Sequence, residues 1–351
     1  MRKLPIKYNY NNPNILVALS KANYELGFLN GVVSLLPNPN IILNAIILGE
    51  AKESSSIENI VTTFDDLFKE IALKNQNFSS KEVVNYRKAI LKGYYSLVKN
   101  NYISTNMIID IHSIIEPNSG GIRKIPGTVI LNTKTKEVLH TPPQSENEIR
   151  EYLDNLEKYI NHKEMKDLDP LIKMALIHYQ FESIHPFHDG NGRVGRILNV
   201  LYLVLEEKLT LPILYLSRCI NETRSEYYQY LQKMRLDDKY IKDYLLYMIN
   251  CFGKTSRFTI NFINKFLNLM EKANKLIKEK CPKIHSDKLV NYLFYDFYTK
   301  NKYFRNNLGV SRNTATKYLN ELADNGFLVV EQVGKEKLYK NAFLYELVDS
   351  W

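Results

Sequence analysis

Cysteine is rare in this chain: its 351 residues include only Cys219, Cys251 and Cys281. The three lie far apart, and none belongs to a CxxC pair. Disulfide frameworks and cysteine zinc sites need closely patterned cysteines, so the sequence argues against both. We therefore expect a protein of a reducing, cytoplasmic compartment.

Long apolar runs are also missing. The most apolar stretch, 197–216, is interrupted by Glu206, Glu207 and Lys208, so we expect no membrane-spanning helix. The first residues are rich in asparagine and lack the apolar core of a signal peptide. The phosphate-binding loop that ends in Lys-Ser or Lys-Thr is absent, and there is no internal repeat.

Positive charge is abundant but concentrated in one part of the chain. The formal net charge is +9 at pH 7, which favours a nucleic-acid partner. However, 253–283 contains eight Lys or Arg and two Glu, whereas 285–351 contains nine basic and eight acidic residues. Most of the surplus therefore belongs to the first of these segments and not to the C-terminal part.

The spacing of apolar residues predicts a mainly helical fold, and 45% hydrophobic residues suffice for two or three domains. The predicted parts are a helical region over 1–100, a core over 101–250, a basic helical connector over 251–284 and a small domain over 285–351. A β-hairpin is predicted over about 120–143, because apolar runs flank the polar turn 132–136. The helices predicted before the hairpin are 14–36, 41–57 with Asn40 as its cap, 81–99 and 106–115.

The C-terminal part has the pattern of a winged helix-turn-helix. Its predicted elements are helices over about 287–298, 303–307 and 312–324, and a wing over 327–340. The basic residues of this part could contact phosphates, but nearby acidic residues almost neutralise them. DNA binding and protein docking therefore both remain open for 285–351.

The most informative segment is 184–196, with the sequence IHPFHDGNGRVGR. A helix capped by Asp169 must end near His185, because Pro186 disfavours helical geometry in the residue before it. A second helix is predicted to begin at about Asn191, where apolar residues again recur at helical spacing. The glycine-flanked turn therefore joins two helices.

The residue types of this turn suit polyphosphate binding. The run Gly190-Asn191-Gly192 leaves backbone N–H groups available at a helix N-terminus, where the helix dipole attracts phosphate. Arg193 and Arg196 are three residues apart, so they share a helix face and can bind separate phosphates. Asp189 can hold Mg²⁺, and His185 can accept a proton from a hydroxyl group.

The run from His185 to Arg196 resembles the signature of the Fic family, HxFx(D/E)GNGRxxR, at every fixed position. The family's usual activity is transfer of AMP from ATP to a Tyr, Thr or Ser hydroxyl of a protein, with release of pyrophosphate. Its relative Doc, which phosphorylates its target, departs from this pattern in the glycine turn and lacks the second arginine. The resemblance therefore implies AMP transfer, with ATP and Mg²⁺ as cofactors, on a Fic-type helical core.

The resemblance also implies a role for each position. His185 would be the general base and Asp189 the Mg²⁺ ligand, while Arg193 would hold the β-phosphate and Arg196 the γ-phosphate. The other residues implied to surround the nucleotide are Gly190, Asn191, Gly192, Val194, Gly195 and, beside the adenine, Tyr228.

A second resemblance lies in a predicted helix at about 40–59. Ser54, Glu58 and Asn59 occupy the fixed positions of the family's inhibitory motif, (S/T)xxxE(G/N). This implies that Glu58 binds Arg196 in place of the γ-phosphate, so that ATP binds unproductively. An arginine–carboxylate pair of this kind is directional and costly to break singly.

In the family, a hairpin called the flap pairs its main chain with an extended segment of the target. The residues implied here are Val129, Ile130 and Leu131, with Ile130 as the clamping residue. An ordinary surface hairpin is the alternative interpretation.

Three other functions compete with AMP transfer. A metallohydrolase would use His185, His188 and Asp189, but Pro186 breaks the helix needed to present them together. A transcriptional regulator or docking factor would act through 285–351. Removal of AMP from a target would use the same site. The expected partners are a target-protein hydroxyl, including one of the chain itself, DNA through the C-terminal part, and a second copy in a homo-oligomer, with no membrane.

Overall fold

The structure is a computed structural model that describes residues 1–36, 38–73, 78–131, 136–162 and 168–348. The fold is mainly helical, as the apolar spacing predicted. The helices before the hairpin are α1 (Pro13–Ser34), α2 (Pro39–Ile57), α3 (Phe64–Leu73), α4 (Phe78–Asn100) and α5 (Thr105–Ile115). Those that follow it are α6 (Glu146–Asn161), α7 (Pro170–Ile184), α8 (Asn191–Leu205), α9 (Leu216–Glu222) and α10 (Arg224–Leu236). The last are α11 (Ile241–Lys280), α12 (Asp287–Leu293), α13 (Asn301–Leu308), α14 (Arg312–Asp324) and α15 (Ala342–Val348).

The strands of the described residues form two small antiparallel sheets. The first is the predicted hairpin, with β1 (Ile130–Leu131) paired to β2 (Val138–His140) so that Ile130 lies opposite His140. The predicted turn over 132–136 falls outside the described residues except for Lys136. The second sheet has the order β3-β5-β4, and its strands are β3 (Tyr298–Thr299), β4 (Leu328–Val333) and β5 (Glu336–Asn341).

The first of two compact units combines residues 1–36, 46–60 and 82–259. Two buried helices, α7 and α8, form its centre. Every residue of α7 from Leu171 to Ile184 is buried, since this helix is apolar on nearly all sides. The loop that joins α7 to α8 therefore lies on a tightly packed support.

The second compact unit combines residues 37–45, 61–81 and 260–351. Segments far apart in sequence pack together in it. Phe68 stacks on Phe297 with ring centres 3.8 Å apart, and Asp65 accepts hydrogen bonds from Tyr298 and Tyr345. Contacts of such long range leave no periodic signal in the sequence. The division into four consecutive parts stays a prediction.

Most predicted helix limits agree with the structure to within a few residues. The helix predicted over 312–324 has those bounds, and α7 begins at Pro170 with Asp169 as its cap. The prediction that Asn40 caps the second helix is wrong, because α2 begins at Pro39 and includes Asn40. The basic segment from 251 to 280 is helical and forms the last three quarters of α11.

The expectation that no disulfide forms is contradicted. The structure joins Cys219 in α9 to Cys251 in α11, with their Cα atoms 5.7 Å apart, and leaves Cys281 free and buried. The two helices bring together cysteines 32 positions apart, which no local spacing could indicate. The cytoplasmic location inferred from the cysteines therefore stays a prediction.

None of the helices in the described ranges combines the length and apolar character that crossing a membrane requires.

Gly93 of α4 lies where the core has no room for a side chain. A methyl group at this position would lie 2.7 Å from Cδ1 of Leu201 and 2.9 Å from Cδ1 of Ile111. We expect Gly93→Val to lower the free energy of unfolding by about 1–3 kcal/mol through overpacking. The change is measured by urea denaturation.

The matched control is Gly27→Val, because Gly27 lies on an exposed face of α1 with open space around it. We expect this variant to change stability by less than about 0.5 kcal/mol. Equal losses in the two variants would contradict the close packing of α4 against α5 and α8.

Candidate functional site

His185 occupies a strained position at the end of α7. It caps the helix in the left-handed conformation, with φ 48° and ψ 59°. A side chain other than glycine adopts this conformation only where surrounding contacts hold it. The position directs the chain out of the helix and into the glycine turn.

The imidazole of His185 is neutral at pH 7. Burial, together with the positive charges of Arg235 and Arg123, lowers the pKa of His185 to about 4. Its Nδ1 is buried and makes no hydrogen bond within the described parts of the chain. A neutral imidazole is the form that can accept a proton, so the state of His185 suits the role of a base.

Phe187 anchors the loop. Its ring is fully buried and stacks on His112 with ring centres 3.6 Å apart. The side-chain amide of Asn191 closes the loop, because it accepts from the Phe187 N–H at 2.9 Å and donates to the Phe187 carbonyl at 2.8 Å. The oxygen and one N–H of the Asn191 side chain are therefore used within the loop, and its backbone N–H is not part of this pair of bonds.

Asp189 is the exposed carboxylate of the turn. Its side chain is 77% exposed, and its Oδ1 accepts the Gly190 N–H at 2.6 Å. The imidazole Nε2 of His112 donates to the Asp189 carbonyl at 3.0 Å, which fixes the backbone there. Gly190 has φ 79°, a left-handed conformation that glycine adopts without strain. The neighbouring His188 is exposed, like Asp189.

Arg193 is almost fully buried between carboxylates. One side of its guanidinium group donates to Glu82 of α4. The other donates to Glu116 at 2.5 Å and lies 3.5 Å from Asp189. Burying a guanidinium group is costly unless carboxylates pair with it, which explains why three of them surround this one.

Arg196 is equally buried, and its hydrogen-bond partners among the described residues, Ser54 and Glu58, lie at the C-terminal end of α2. Its Nε donates to the hydroxyl of Ser54 at 2.8 Å, and its Nη2 donates to the Ser54 carbonyl at 2.9 Å. The same Nη2 forms an ion pair of 2.9 Å with Oε1 of Glu58. The two arginines that the sequence placed on one helix face are thus held by different carboxylates.

Glu58 places its carboxylate at the N-terminus of α8. A methyl group built on Gly192 would collide with Oε1 of Glu58 and lie 2.9 Å from Nη1 of Arg196. The N–H groups of the first helical turn have no acceptor within the helix, and the helix dipole favours an anion there. The carboxylate of Glu58 therefore lies where the sequence predicted a phosphate.

A row of hydrogen bonds fastens α2 to α9. Ser217 donates its hydroxyl and its N–H to the buried carboxylate of Glu50, the latter at 2.9 Å. One turn further along α9, Asn221 donates to Glu53 at 2.7 Å. After the end of α2, Asn59 accepts from Arg224 at 3.0 Å. Burial raises the pKa of Glu50 to about 7, against the opposing effect of its hydrogen bonds from Ser217.

Tyr228 is half-exposed, and burial raises the pKa of its hydroxyl, to which the charge of Glu58 adds and which the charge of Arg196 opposes. Its neighbour Tyr227 is buried and bonds to Nε2 of His178 at 2.7 Å. Val194 and Gly195 lie inside α8 and are buried. In the hairpin, Val129 and Leu131 are exposed, and Ile130 is partly buried.

Several residues at the site carried no signal in the sequence. They are Glu82, Glu116, Arg123, His140 and Asn221. Each contacts α2 or the helices α7 and α8 from a distant part of the chain, so no fixed spacing links it to them. The described residues include no group of three His, Cys, Asp or Glu side chains that could hold a metal ion.

The row of hydrogen bonds predicts that α9 holds the end of α2 in place. Ser217→Ala removes one bond to Glu50, so we expect the backbone amides of α2 from 50 to 57 to exchange about fivefold faster with deuterium. The control is Ser256→Ala, since the buried Ser256 hydroxyl bonds to the Phe252 carbonyl of its own helix. Equal exchange of α2 in wild type and Ser217→Ala would contradict the attachment.

Family models match three parts of the chain. The Fic/DOC family N-terminal model covers residues 16–95, and the Fic/DOC family model covers 102–203. The model for the C-terminal domain of SoFic-like protein adenylyltransferases covers 269–344.

Curated relatives match less than half of the chain. The protein adenylyltransferase Fic of Drosophila mojavensis is 28% identical over 46% of this chain and 30% of its own length. The protein adenylyltransferase fic-1 of Caenorhabditis elegans is 29% identical over 40% of this chain and 26% of its own length. The chain thus spans less than a third of these relatives.

Solved structures share the fold at low sequence identity. A Fic family protein from Desulfovibrio desulfuricans is 14% identical with a TM-score of 0.59, covering 97% of this chain and 99% of its own. Fic-1 of C. elegans is 19% identical with a TM-score of 0.54, covering 72% of this chain and 74% of its own. The matched motif, the three family models and the common fold agree, and this chain belongs to the Fic/DOC family.

Proposed function

We propose that this chain transfers AMP from ATP to a hydroxyl side chain of a protein. The observation that carries the proposal is a neutral His185 beside a helix N-terminus that has two buried arginines. In the reaction, the target oxygen would bond to the α-phosphorus while His185 takes the hydroxyl proton. The bond from that phosphorus to the bridging oxygen would break, and pyrophosphate would leave with the electron pair. The names of the curated relatives agree with this proposal.

Asp189 fits a magnesium ion bound together with phosphates. Mg²⁺ is commonly held by one or two carboxylates, with phosphate oxygens and water completing its shell. The exposed Asp189 carboxylate has room for such an ion, which would neutralise charge on the phosphates. A protein cage for the metal is not needed, so the absence of a larger ligand cluster among the described residues is compatible with this role.

Arg193 and Arg196 would hold the phosphates beyond the reacting one. Backbone N–H groups of Gly190, Asn191 and Gly192 would contribute the anion cradle. Tyr228 would contact the adenine side, and the hairpin residues around Ile130 would align the target segment. We propose these roles together with the transfer reaction.

The proposed resting state is inhibited. Glu58 holds Arg196 and lies against Gly192, so a γ-phosphate could reach neither while the carboxylate stays. The match of Ser54, Glu58 and Asn59 to the inhibitory motif supports this interpretation. Asn59 itself has φ 63° and ends the helix directly after Glu58.

The competing functions have less support. His185 is partly buried whereas His188 and Asp189 are exposed, and the described residues include no cluster of three such side chains as a hydrolase metal site would require. In the C-terminal unit the helices α13 and α14 and the hairpin β4–β5 support a winged helix-turn-helix. In this unit Lys300 pairs with Glu336 and Lys340 pairs with Asp65. Because these carboxylates neutralise the two lysines, they add little positive charge that could attract DNA. DNA binding, a homo-oligomer and removal of AMP stay predictions.

Breaking the inhibitory pair should activate the protein. We expect Glu58→Gly to increase incorporation of label from α-labelled ATP, including into the chain itself, by about tenfold or more, because Arg196 becomes available to phosphate. Labelled protein is quantified after gel separation, with cognate lysate as the source of targets.

The control is His185→Ala, which should abolish labelling both in the otherwise wild-type protein and in the Glu58→Gly variant. A Glu58→Gly protein no more active than wild type would contradict the inhibitory role. Labelling that survives His185→Ala would contradict the assignment of the base.

The lowered pKa of His185 predicts an unusual pH dependence. The imidazole accepts a proton only while unprotonated, and its pKa of about 4 lies below the ordinary 6.5. We therefore expect the imidazole to remain neutral as pH falls from 7 to about 5 and to protonate below that. NMR titration of the imidazole, assigned with His185→Ala, measures this directly. A midpoint near 6.5 would contradict the buried environment.

A further inference from the structure

The last carbonyl groups of α7 are bonded by side chains from the hairpin segment. A helix leaves its final carbonyls without partners inside the helix. Here, Nε2 of His140, at the end of β2, donates to the Ser183 carbonyl at 2.8 Å. Nε of Arg123, which precedes β1, donates to the His185 carbonyl at 2.8 Å. Both ends of the hairpin are thereby attached to the turn of helix that carries the base.

Arg123 is the more deeply buried of the two, with 1% of its surface exposed. Its Nη2 donates to the carbonyl of Pro143, three residues after the end of β2, and at 3.4 Å to that of Ile184. Its backbone N–H donates to the Pro186 carbonyl at 2.9 Å. A buried guanidinium group is costly, and the carbonyl dipoles at a helix C-terminus offset part of that cost.

These bonds surround His185 on both sides. Arg123 holds the carbonyls of residues 184, 185 and 186, which belong to the peptide groups before and after the base. The left-handed conformation of His185 needs such support. The direction of the imidazole therefore depends on Arg123.

We propose that Arg123 and His140 are positioning residues. They hold the hairpin at a fixed place relative to His185, so that a target hydroxyl aligned by the hairpin lies next to the base. This inference rests on the proposed function and extends it to two residues outside the motif. Neither residue needs to touch ATP. Their loss should therefore affect transfer to the target far more than binding of the nucleotide.

The main test uses Arg123→Gln on the activated Glu58→Gly background. We expect kcat for AMP transfer to fall about 100-fold, since a displacement of about 1 Å at a reacting centre has that effect. The Kd of Mg–ATP, measured by equilibrium dialysis, should stay within about twofold. Lys124→Gln is the matched control, because Lys124 is the adjacent cation and is exposed. It should leave both quantities unchanged.

A second measurement separates positioning from general support of the fold. The titratable groups that act on His185 are Arg235 of α10 and Arg123 and His140 from the hairpin segment, and the backbone of Glu182 in its own helix opposes their effect. Removing the charge of Arg123 should raise the pKa of His185 in Arg123→Gln, whereas Arg123→Lys should keep the pKa low. Arg123→Lys should still lose rate, because an ammonium group cannot bond several carbonyls as a guanidinium group does.

His140→Phe keeps a ring in place and removes only the bond to Ser183, so it tests the inference if Arg123→Gln fails to fold. We expect deuterium exchange of the hairpin amides 136–140 to quicken about fivefold. On the Glu58→Gly background, KM for the target should rise while the Kd of Mg–ATP stays constant.

Unchanged transfer and unchanged exchange in both variants would overturn the inference, as would a loss of transfer matched by an equal loss of ATP binding. If Glu58→Gly transfers no AMP at all, the proposed function fails instead. The exchange and pKa measurements then still decide whether Arg123 and His140 attach the hairpin to the base.

Discussion

The buried guanidinium group of Arg196 is the constraint on which the site depends. Such a group cannot stay without an anionic partner, and removing one member of a buried pair costs about 3–5 kcal/mol. In this structure the partner is Glu58, assisted by the hydroxyl and carbonyl of Ser54. Any nucleotide that reaches Arg196 must supply a replacement charge, and a phosphate is the replacement that the helix N-terminus favours.

The need to pair Arg196 with an anion also explains other contacts in the first unit. The contact of Glu58 with Gly192 places one anion at the start of α8, so carboxylate and phosphate exclude each other there. The bonds from Ser217 and Asn221 hold α2 where Glu58 can reach Arg196. Arg193 is paired separately with Glu82 and Glu116, so release of Glu58 frees one arginine and not both.

The sequence predicted the local parts of this site well and its long-range parts poorly. The end of α7 and the start of α8 followed from proline, glycine and apolar spacing within a dozen residues. The pair Glu58–Arg196 could be expected only through a resemblance that linked two distant motifs. Glu82, Arg123 and the disulfide Cys219–Cys251 were not predicted, because packing of separate helices creates those contacts and no spacing encodes them.

The central claim is that one position at Arg196 is shared by Glu58 and the γ-phosphate. Crystal structures of wild type and Glu58→Gly with Mg²⁺ and a non-hydrolysable ATP analogue test it most directly. The account predicts that the γ-phosphate bonds to Arg196 in Glu58→Gly, and that Glu58 keeps Arg196 in wild type while the phosphates lie elsewhere. A γ-phosphate on Arg196 in wild type with the Glu58 pair intact would contradict it.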